Sequence, residues 1–157
     1  MAAAIEMTPI GVVHCTRREA VDDDWDREQV ELELDATRFT PEALAGLDAF
    51  SHVEIVYVMH GVAEEDVELT ARHPRNRADW PRVGIFAQRA KRRPNRIGIS
   101  RARLVAVEGL RVRLVGLDAI DGTPVLDLKP WVREFGPRGE VHQPAWITEL
   151  MAEYWAR

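Results

Sequence analysis

A succession of short β-rich segments, with little helical periodicity between them, limits the folds open to this chain. The clearest segment, residues 51–60, reads SHVEIVYVMH. Val53, Ile55, Tyr57 and Met59 fall on one face of it, because side chains alternate along a strand. This alternation predicts a strand with one face in a hydrophobic core.

A β-hairpin is predicted where two β-rich runs, 96–107 and 110–117, are separated by Glu108-Gly109. Three shorter strands are predicted at 10–15, 29–34 and 125–129. Strands outnumber helices, and they do not alternate with helices as βαβ units do. The pattern therefore predicts a mainly β chain with a single-domain, β-barrel-like antiparallel fold, rather than a Rossmann fold.

Two helices are predicted. Thr40 followed by Pro41 is typical of a helix start, which predicts a short helix near 41–47. A C-terminal helix is predicted over 144–155 from an amphipathic stripe. The stripe consists of Trp146, Ile147, Leu150, Met151, Tyr154 and Trp155. Residues 61–82 are polar and interrupted by proline, and they predict a long loop.

The composition is that of a globular protein, with 157 residues of which 46% are hydrophobic and 30% charged. This length fits one domain over 1–157. No apolar run approaches the roughly 18 residues of a membrane helix, and the N-terminus lacks the pattern of a secretory signal. Cys15 is the single cysteine, so no disulfide framework is expected. We expect a cytoplasmic protein that does not contact membranes.

The charge of the chain is distributed unevenly. Residues 80–107 contain eight basic and no acidic residues, whereas the rest of the chain contains 13 basic and 26 acidic residues. A local positive patch on an acidic body favours the steering of an anionic ligand to one place. An arginine-rich loop exposed to solvent is the alternative explanation.

Metal chemistry is not predicted. His52 and His60 share a strand face but lie eight residues apart, roughly 26 Å along an extended strand, so they cannot bind one ion. The common nucleotide-binding, metalloprotease and serine-hydrolase motifs are also absent. His60, next to Gly61 at the end of its strand, could line a ligand pocket or be structural.

Two loops carry chemistry-bearing residues. In the run 93–98, RPNRIG, proline forces an extended turn, Asn95 offers a donor and an acceptor, and Gly98 allows close backbone approach. Flanking arginines suit a carboxylate or phosphate. In the second loop, Asp121-Gly122 predicts a tight turn. Asp127 and Lys129 share a face of the following strand and could pair, either for chemistry or as a surface ion pair.

Three segments together resemble the TrmO family, also called TsaA-like or YaeB. They read LAGLDAFSHVEIVYVMH, GIFAQRAKRRPNRIGIS and GLDAIDGTPVLDLKPW. The resemblance covers a core of 10–131 and leaves a C-terminal helical extension of 132–157. It implies a β-barrel methyltransferase that uses S-adenosylmethionine, forms a homodimer with the cofactor near the interface, and methylates N6 of threonylcarbamoyl-adenosine next to the tRNA anticodon.

The resemblance also implies site residues. The implied cofactor contacts are His60, Gly61, Arg89, Asn95, Gly98, Asp121, Gly122 and Thr123. Asp127 is our candidate for the base that receives the proton of the acceptor, with Lys129 tuning its charge. The surplus cations beside the Pro-Asn loop are candidates for binding the anionic acceptor, and they are Lys91, Arg92, Arg93 and Arg96.

Two departures from the family pattern bear on the substrate. Its usual Pro-Arg-Gln is absent from the region CTRREAVDDDWDREQ, and Trp131 replaces the tyrosine of Lys-Pro-Tyr. Two other functions are therefore kept: the same scaffold methylating a small anionic metabolite or a peptide, and a protein that binds the cofactor without turning it over. Salt-sensitive acceptor binding favours RNA over a small molecule.

Overall fold

The computed structural model describes residues 1–155, and its main feature is a closed antiparallel barrel. Six strands form the barrel in the order β1-β2-β7-β6-β3-β8, and β8 pairs with β1 to close it. The barrel strands are β1 (Gly11–His14), β2 (Gln29–Leu34), β3 (His52–Val58), β6 (Ile97–Glu108), β7 (Arg111–Val115) and β8 (Pro124–Pro130). The predicted β-barrel-like antiparallel fold is confirmed.

The core fills the inside of the barrel because each strand turns its alternate apolar side chains inward. On β3, Val53, Ile55 and Tyr57 are buried, as the alternation predicts. β3 pairs on one side with β6 and on the other with β8, where the register shifts between Val56 and Tyr57. The central position of β3 therefore brings the loops that follow β3, and those that precede β6 and β8, to one end of the barrel.

The predicted hairpin joins β6 and β7, with Gly109 in the left-handed region at φ 63°. β7 ends at Val115, two residues before the predicted end, because Gly116 adopts a φ of 86° and turns the chain. β6 pairs with β7 only from Arg103 onward. Among the described strands, the first half of β6 consequently has an unpaired edge on that side.

The prediction of a long loop over 61–82 is only partly correct. This region contains 3₁₀ helices at Glu64–Asp66 and Pro74–Asn76, and it begins a small ribbon of β4 (Ala71–Arg72) and β5 (Val83–Gly84). Each ribbon strand has two residues, which is too short for an alternating pattern to reveal it in the sequence.

Both predicted helices differ in extent. The region near 41–47 forms two 3₁₀ helices, Pro41–Leu44 and Leu47–Ala49, divided by Gly46 at φ 85°, and Thr40 makes no side-chain capping bond. The C-terminal helix α1 covers only Ala145–Leu150 and continues as turns.

α1 ends early because the chain after it forms backbone hydrogen bonds with the loop between β1 and β2. The carbonyl oxygens of Glu153 and Tyr154 accept hydrogen bonds from the backbone of that loop. The predicted stripe is half-buried except for the exposed Trp155. The last two residues of the expected extension, 156–157, lie outside the described residues, and the division into core and extension stays a prediction. No helix within 1–155 is both long and apolar enough to span a bilayer.

Candidate functional site

The first part of the site is the tight turn before β8, which lies against the end of β3. A Cβ atom on Gly122 would lie 3.8 Å from His60 Nε2, and one on Gly61 would lie 3.8 Å from Ile120 Cδ1. The structure therefore brings His60 and Gly61 next to the residues of the turn. His60, Gly61 and Gly122 are exposed, so a ligand can reach them.

The turn is held by hydrogen bonds to β1 and to the residues that follow β1. Asp121 N–H donates to Arg17 O and Gly122 N–H donates to Val13 O, both at 2.8 Å. The carboxylate of Asp121 accepts a bond from Cys15 N–H at 3.1 Å. Thr123 is buried, and its hydroxyl donates to Ile120 O at 2.7 Å. Gly122 adopts a φ of 80°, which favours glycine at this position.

The Pro-Asn loop forms the second part of the site. Asn95 and Arg96 have φ values of 62° and 52°, so the chain reverses sharply after Pro94. Arg96 Nη1 donates to Val62 O at 2.7 Å, and Met59 N–H donates to Arg96 O at 2.8 Å. These bonds fix the loop beside the end of β3, and Asn95 is left exposed.

Gly98 lies directly over the ring of Tyr57, its partner across the β3–β6 ladder. A Cβ atom on Gly98 would come within 2.5 Å of two ring carbons of Tyr57. The Tyr57 hydroxyl donates to both the carbonyl and the carboxylate of Asp118, at 3.0 and 3.1 Å. Glycine at position 98 thus allows the ring to lie under the loop.

Arg89 covers the unpaired edge of β6. Its Nη2 donates to Ile99 O at 2.8 Å, and the side chain is exposed. Burial and the nearby Asp118 carboxylate raise the pKa of Tyr57 and Tyr154, while the positive charge of Arg89 acts in the opposite direction. Arg89 is therefore close enough to Tyr57 and Tyr154 to influence their hydroxyls electrostatically.

The four predicted acceptor-binding cations differ in their contacts. Lys91, Arg93 and Arg96 donate to the backbone carbonyls of Ala20, Gln88 and Val62. Because those carbonyls are neutral, the bonds orient the cations without neutralising them. Arg92 is exposed, and within residues 1–155 its guanidinium has no hydrogen-bond or ion-pair partner.

Asp127 and Lys129 form the expected pair. Their charged groups are 2.7 Å apart, with side chains 46% and 64% exposed. Hydrogen bonding to Asp127 raises the pKa of Lys129. Asp127 lies opposite Val56 on β3, which itself lies opposite Ile99 on β6, so the pair is on the same outer face of the barrel as Ile99.

Sequence reasoning did not identify Asp118 or Tyr154 as part of this region. The Tyr154 hydroxyl donates to Asp118 Oδ2 from the chain after α1. No local signal marks this contact, because 36 residues separate its partners. Two surface grooves, of about 200 and 340 Å³, contain none of the predicted site residues. Among residues 1–155 no cluster of three or more His, Cys, Asp or Glu could hold a metal ion.

The sequence profile of the tRNA-methyltransferase O N-terminal domain matches residues 21–136. The chain belongs to the TrmO family. The resemblance inferred from the motifs is thereby confirmed, and a solved TrmO-family structure agrees with the fold. The crystal structure of TrmO from Pseudomonas aeruginosa superimposes with a TM-score of 0.74 at 29% identity, over 93% of this chain and 63% of that one.

Two curated relatives have informative names. The chain is 41% identical over 106 residues to the tRNA (adenine(37)-N6)-methyltransferase of Escherichia coli (strain K12), covering 65% of this chain and 45% of that enzyme. It is 34% identical over 141 residues to a Pyrococcus abyssi protein named "Probable S-adenosyl-L-methionine-binding protein", covering 85% of this chain and 71% of that protein. The chain spans less than half the length of several curated methyltransferases that it resembles, from 21% of the Mus musculus enzyme to 49% of the Eikenella corrodens enzyme.

Proposed function

We propose that this chain is an S-adenosylmethionine-dependent methyltransferase that acts on tRNA. Its acceptor is N6 of the adenosine beside the anticodon, in the threonylcarbamoyl-modified form. One observation carries the proposal: in a member of the TrmO family, the Asp121–Thr123 turn, His60-Gly61 and the Pro-Asn loop converge at one end of the barrel. The names of the E. coli and P. abyssi relatives support the RNA and the cofactor respectively.

The residues at this end suit the proposed cofactor. Arg89 uses Nη2 for Ile99 O, which leaves other guanidinium N–H groups to hold the methionine carboxylate. The exposed Asn95 offers an amide to the adenine or ribose, and Gly122 leaves backbone accessible beside His60. The donors and acceptors that the cofactor needs are therefore present on a rigid frame.

The bound cofactor would supply a methyl group already activated on a sulfonium, so the chain has mainly to position its ligands. Asp127 is the proposed base that accepts the proton from the acceptor nitrogen. Its ion pair with Lys129 holds the carboxylate in place on the outer face of the barrel. Both side chains reach solvent, so an acceptor can approach them.

The cations near the Pro-Asn loop are proposed to hold the phosphates of the RNA. Lys91, Arg93 and Arg96 are fixed by carbonyl groups that leave their charge uncompensated, and Arg92 is unpaired among the described residues. Phosphate contacts of this kind give affinity that falls steeply with salt.

A homodimer is proposed to complete the site. The outer face of β3 and β6 presents Val56, Val58, Ile97 and Ile99, of which Ile99 is 46% exposed. A second copy covering this face would bury apolar surface and enclose the open cofactor residues. Sedimentation of wild-type and Ile99→Glu protein tests this, since a charge on the face is expected to yield monomers.

Calorimetric titration with S-adenosylmethionine and S-adenosylhomocysteine tests the cofactor site. We expect binding by the wild type and a loss of about 10- to 100-fold in Arg89→Ala, because a charged hydrogen-bond donor to the carboxylate is removed. Arg111→Ala on β7 is the matched control and should bind normally, since Arg111 pairs with Glu31 away from the site. Equal losses in the two variants would contradict the assigned role of Arg89.

Methyl transfer from labelled cofactor to tRNA with and without the threonylcarbamoyl group tests the acceptor. We expect transfer only to the modified tRNA, no transfer by Asp127→Asn despite intact cofactor binding, and a salt slope for tRNA binding that falls by about 0.7–0.9 in Arg92→Ala. Equal transfer to both tRNAs would disprove the requirement for the threonylcarbamoyl group. Transfer to a small anionic metabolite or a peptide alone, or binding with no transfer, would favour the other two functions.

A further inference from the structure

The segment formed by α1 and the chain that follows it is fastened to three loops at the end of the barrel that carries the proposed cofactor site. The backbone N–H groups of Asp24 and Trp25 donate to the carbonyls of Glu153 and Tyr154 at 3.1 and 3.0 Å. Trp80 Nε1 donates to the carboxylate of Glu149 at 2.9 Å. The third contact is the hydrogen bond between Tyr154 and Asp118.

The contact at Asp118 differs from the other two contacts of this segment because two tyrosines share the Asp118 carboxylate. Oδ1 accepts the hydroxyl of Tyr57 on β3, and Oδ2 accepts the hydroxyl of Tyr154. Both tyrosine side chains are largely buried, and burial raises the pKa of each hydroxyl. Both hydroxyls therefore remain protonated donors to Asp118 at neutral pH.

This shared carboxylate links the two halves of the proposed site. Asp118 lies three residues before Asp121, so holding it fixes the approach to the Asp121–Thr123 turn. Tyr57 lies under Gly98, so holding its hydroxyl fixes the floor of the Pro-Asn loop. A movement of Asp118 would therefore change the spacing between the turn and the loop.

We infer that Tyr154 is a positioning residue of the cofactor site and acts through Asp118. This inference rests on the proposed function, because it assigns Tyr154 to the cofactor site proposed above. Tyr154 contacts neither the methyl group nor the acceptor in this scheme. Its hydroxyl donates to Oδ2 of Asp118, the oxygen that Tyr57 does not use. This bond maintains the spacing between the Asp121–Thr123 turn and the Pro-Asn loop.

The role of Tyr154 is separable from the docking of the C-terminal chain. Tyr154→Phe keeps the ring and the backbone bonds of Glu153 and Tyr154, and it removes only the hydroxyl from Asp118 Oδ2. Glu149→Ala removes the Trp80 contact and leaves the hydroxyl in place. The two variants therefore loosen the same segment in different ways.

Calorimetry with S-adenosylhomocysteine on wild type, Tyr154→Phe and Glu149→Ala tests the inference. We expect affinity to fall about tenfold in Tyr154→Phe and to stay within about twofold of wild type in Glu149→Ala, even where the latter melts at a lower temperature. Asp118→Ala is the second variant. Its loss of affinity should not increase when Tyr154→Phe is added, because removing the carboxylate already removes the contact with the Tyr154 hydroxyl.

A second readout needs no ligand. Amide exchange measured by NMR should be faster at Gly122 and Thr123 in Tyr154→Phe than in Glu149→Ala. If the affinity and the amide exchange of Tyr154→Phe equal those of the wild type, the inference is overturned and the proposed cofactor site is not. Equal effects in Tyr154→Phe and Glu149→Ala would have the same meaning. Failure of the wild type to bind S-adenosylhomocysteine would overturn the proposed cofactor site and this inference with it.

Discussion

Substituting Gly98 by alanine tests the packing on which the proposed site depends. The new Cβ atom would lie 2.5 Å from Cε2 and Cζ of Tyr57 and 3.0 Å from its hydroxyl oxygen. The ring cannot move away easily, because Tyr57 is only 5% exposed and its hydroxyl is bonded twice to Asp118. The substitution must therefore displace either the β6 backbone or the ring.

The cost follows from two contributions. Overpacking by one methyl group in a filled core costs about 1–3 kcal/mol. Loss or distortion of the Tyr57 hydrogen bonds adds about 0.5–1.5 kcal/mol for each bond. A total of about 3 kcal/mol would lower the melting temperature by roughly 6–12 °C in a domain of this size. Cofactor affinity should fall as well, since the floor of the Pro-Asn loop is displaced.

Thermal and urea unfolding of Gly98→Ala and Gly84→Ala provide the assay. Gly84 is the matched control on β5, because a Cβ atom there would meet only Thr70 O at 3.9 Å and its φ is −58°. We expect Gly84→Ala to stay within about 0.5 kcal/mol of wild type. In a Tyr57→Leu background the cost of Gly98→Ala should shrink. A Gly98→Ala melting curve like that of Gly84→Ala would refute the reasoning.

Two further predictions concern titration. The chain has only two tyrosines, both with raised pKa, so ultraviolet absorbance of the phenolate should appear only together with unfolding. The stability from these groups is complete below the unfolded pKa of about 10 and is lost as pH rises above it. A phenolate signal from folded protein near pH 10 would contradict this. The Thr37 hydroxyl lowers the pKa of Asp35, so Thr37→Val should raise that pKa in an NMR titration. A lowered pKa stabilises the fold above the unfolded value of about 3.9, and this contribution is lost as pH falls through the folded value. The variant should therefore lose more stability at about pH 7 than at about pH 2, and an equal loss at both would disprove the linkage.

The sequence predicted the barrel strands well because each contributes an alternating pattern that is local. β2 has the predicted bounds, and β3 is shorter than its predicted segment by one residue at the start and two at the end. The order of the strands and the closure of β8 on β1 were not predictable, because pairing partners depend on contacts between distant segments. The two-residue strands of the ribbon carry no periodicity at all.

The site was predictable to a similar extent. The motif residues His60, Gly61 and Gly122 do come together, while their roles stay predictions. The contacts of Asp118 with Tyr57 and Tyr154 could not be predicted, because they join the barrel interior to a segment whose sequence resembles an ordinary amphipathic helix. Tertiary bonds to Asp24 and Trp25 end α1 sooner than its stripe suggests.

The unpaired first half of β6 has a consequence for solubility. An open strand edge is a template on which a strand of another molecule can add, and proteins often guard such edges with charge. Arg89 places a cation on this edge at Ile99, so the residue proposed to hold the cofactor also discourages edge-to-edge aggregation. A change at Arg89 that weakens cofactor binding would therefore also weaken the protection of this edge. At high protein concentration Arg89→Ala should associate more readily than the wild type, whereas Arg89→Lys, which keeps the cation, should not.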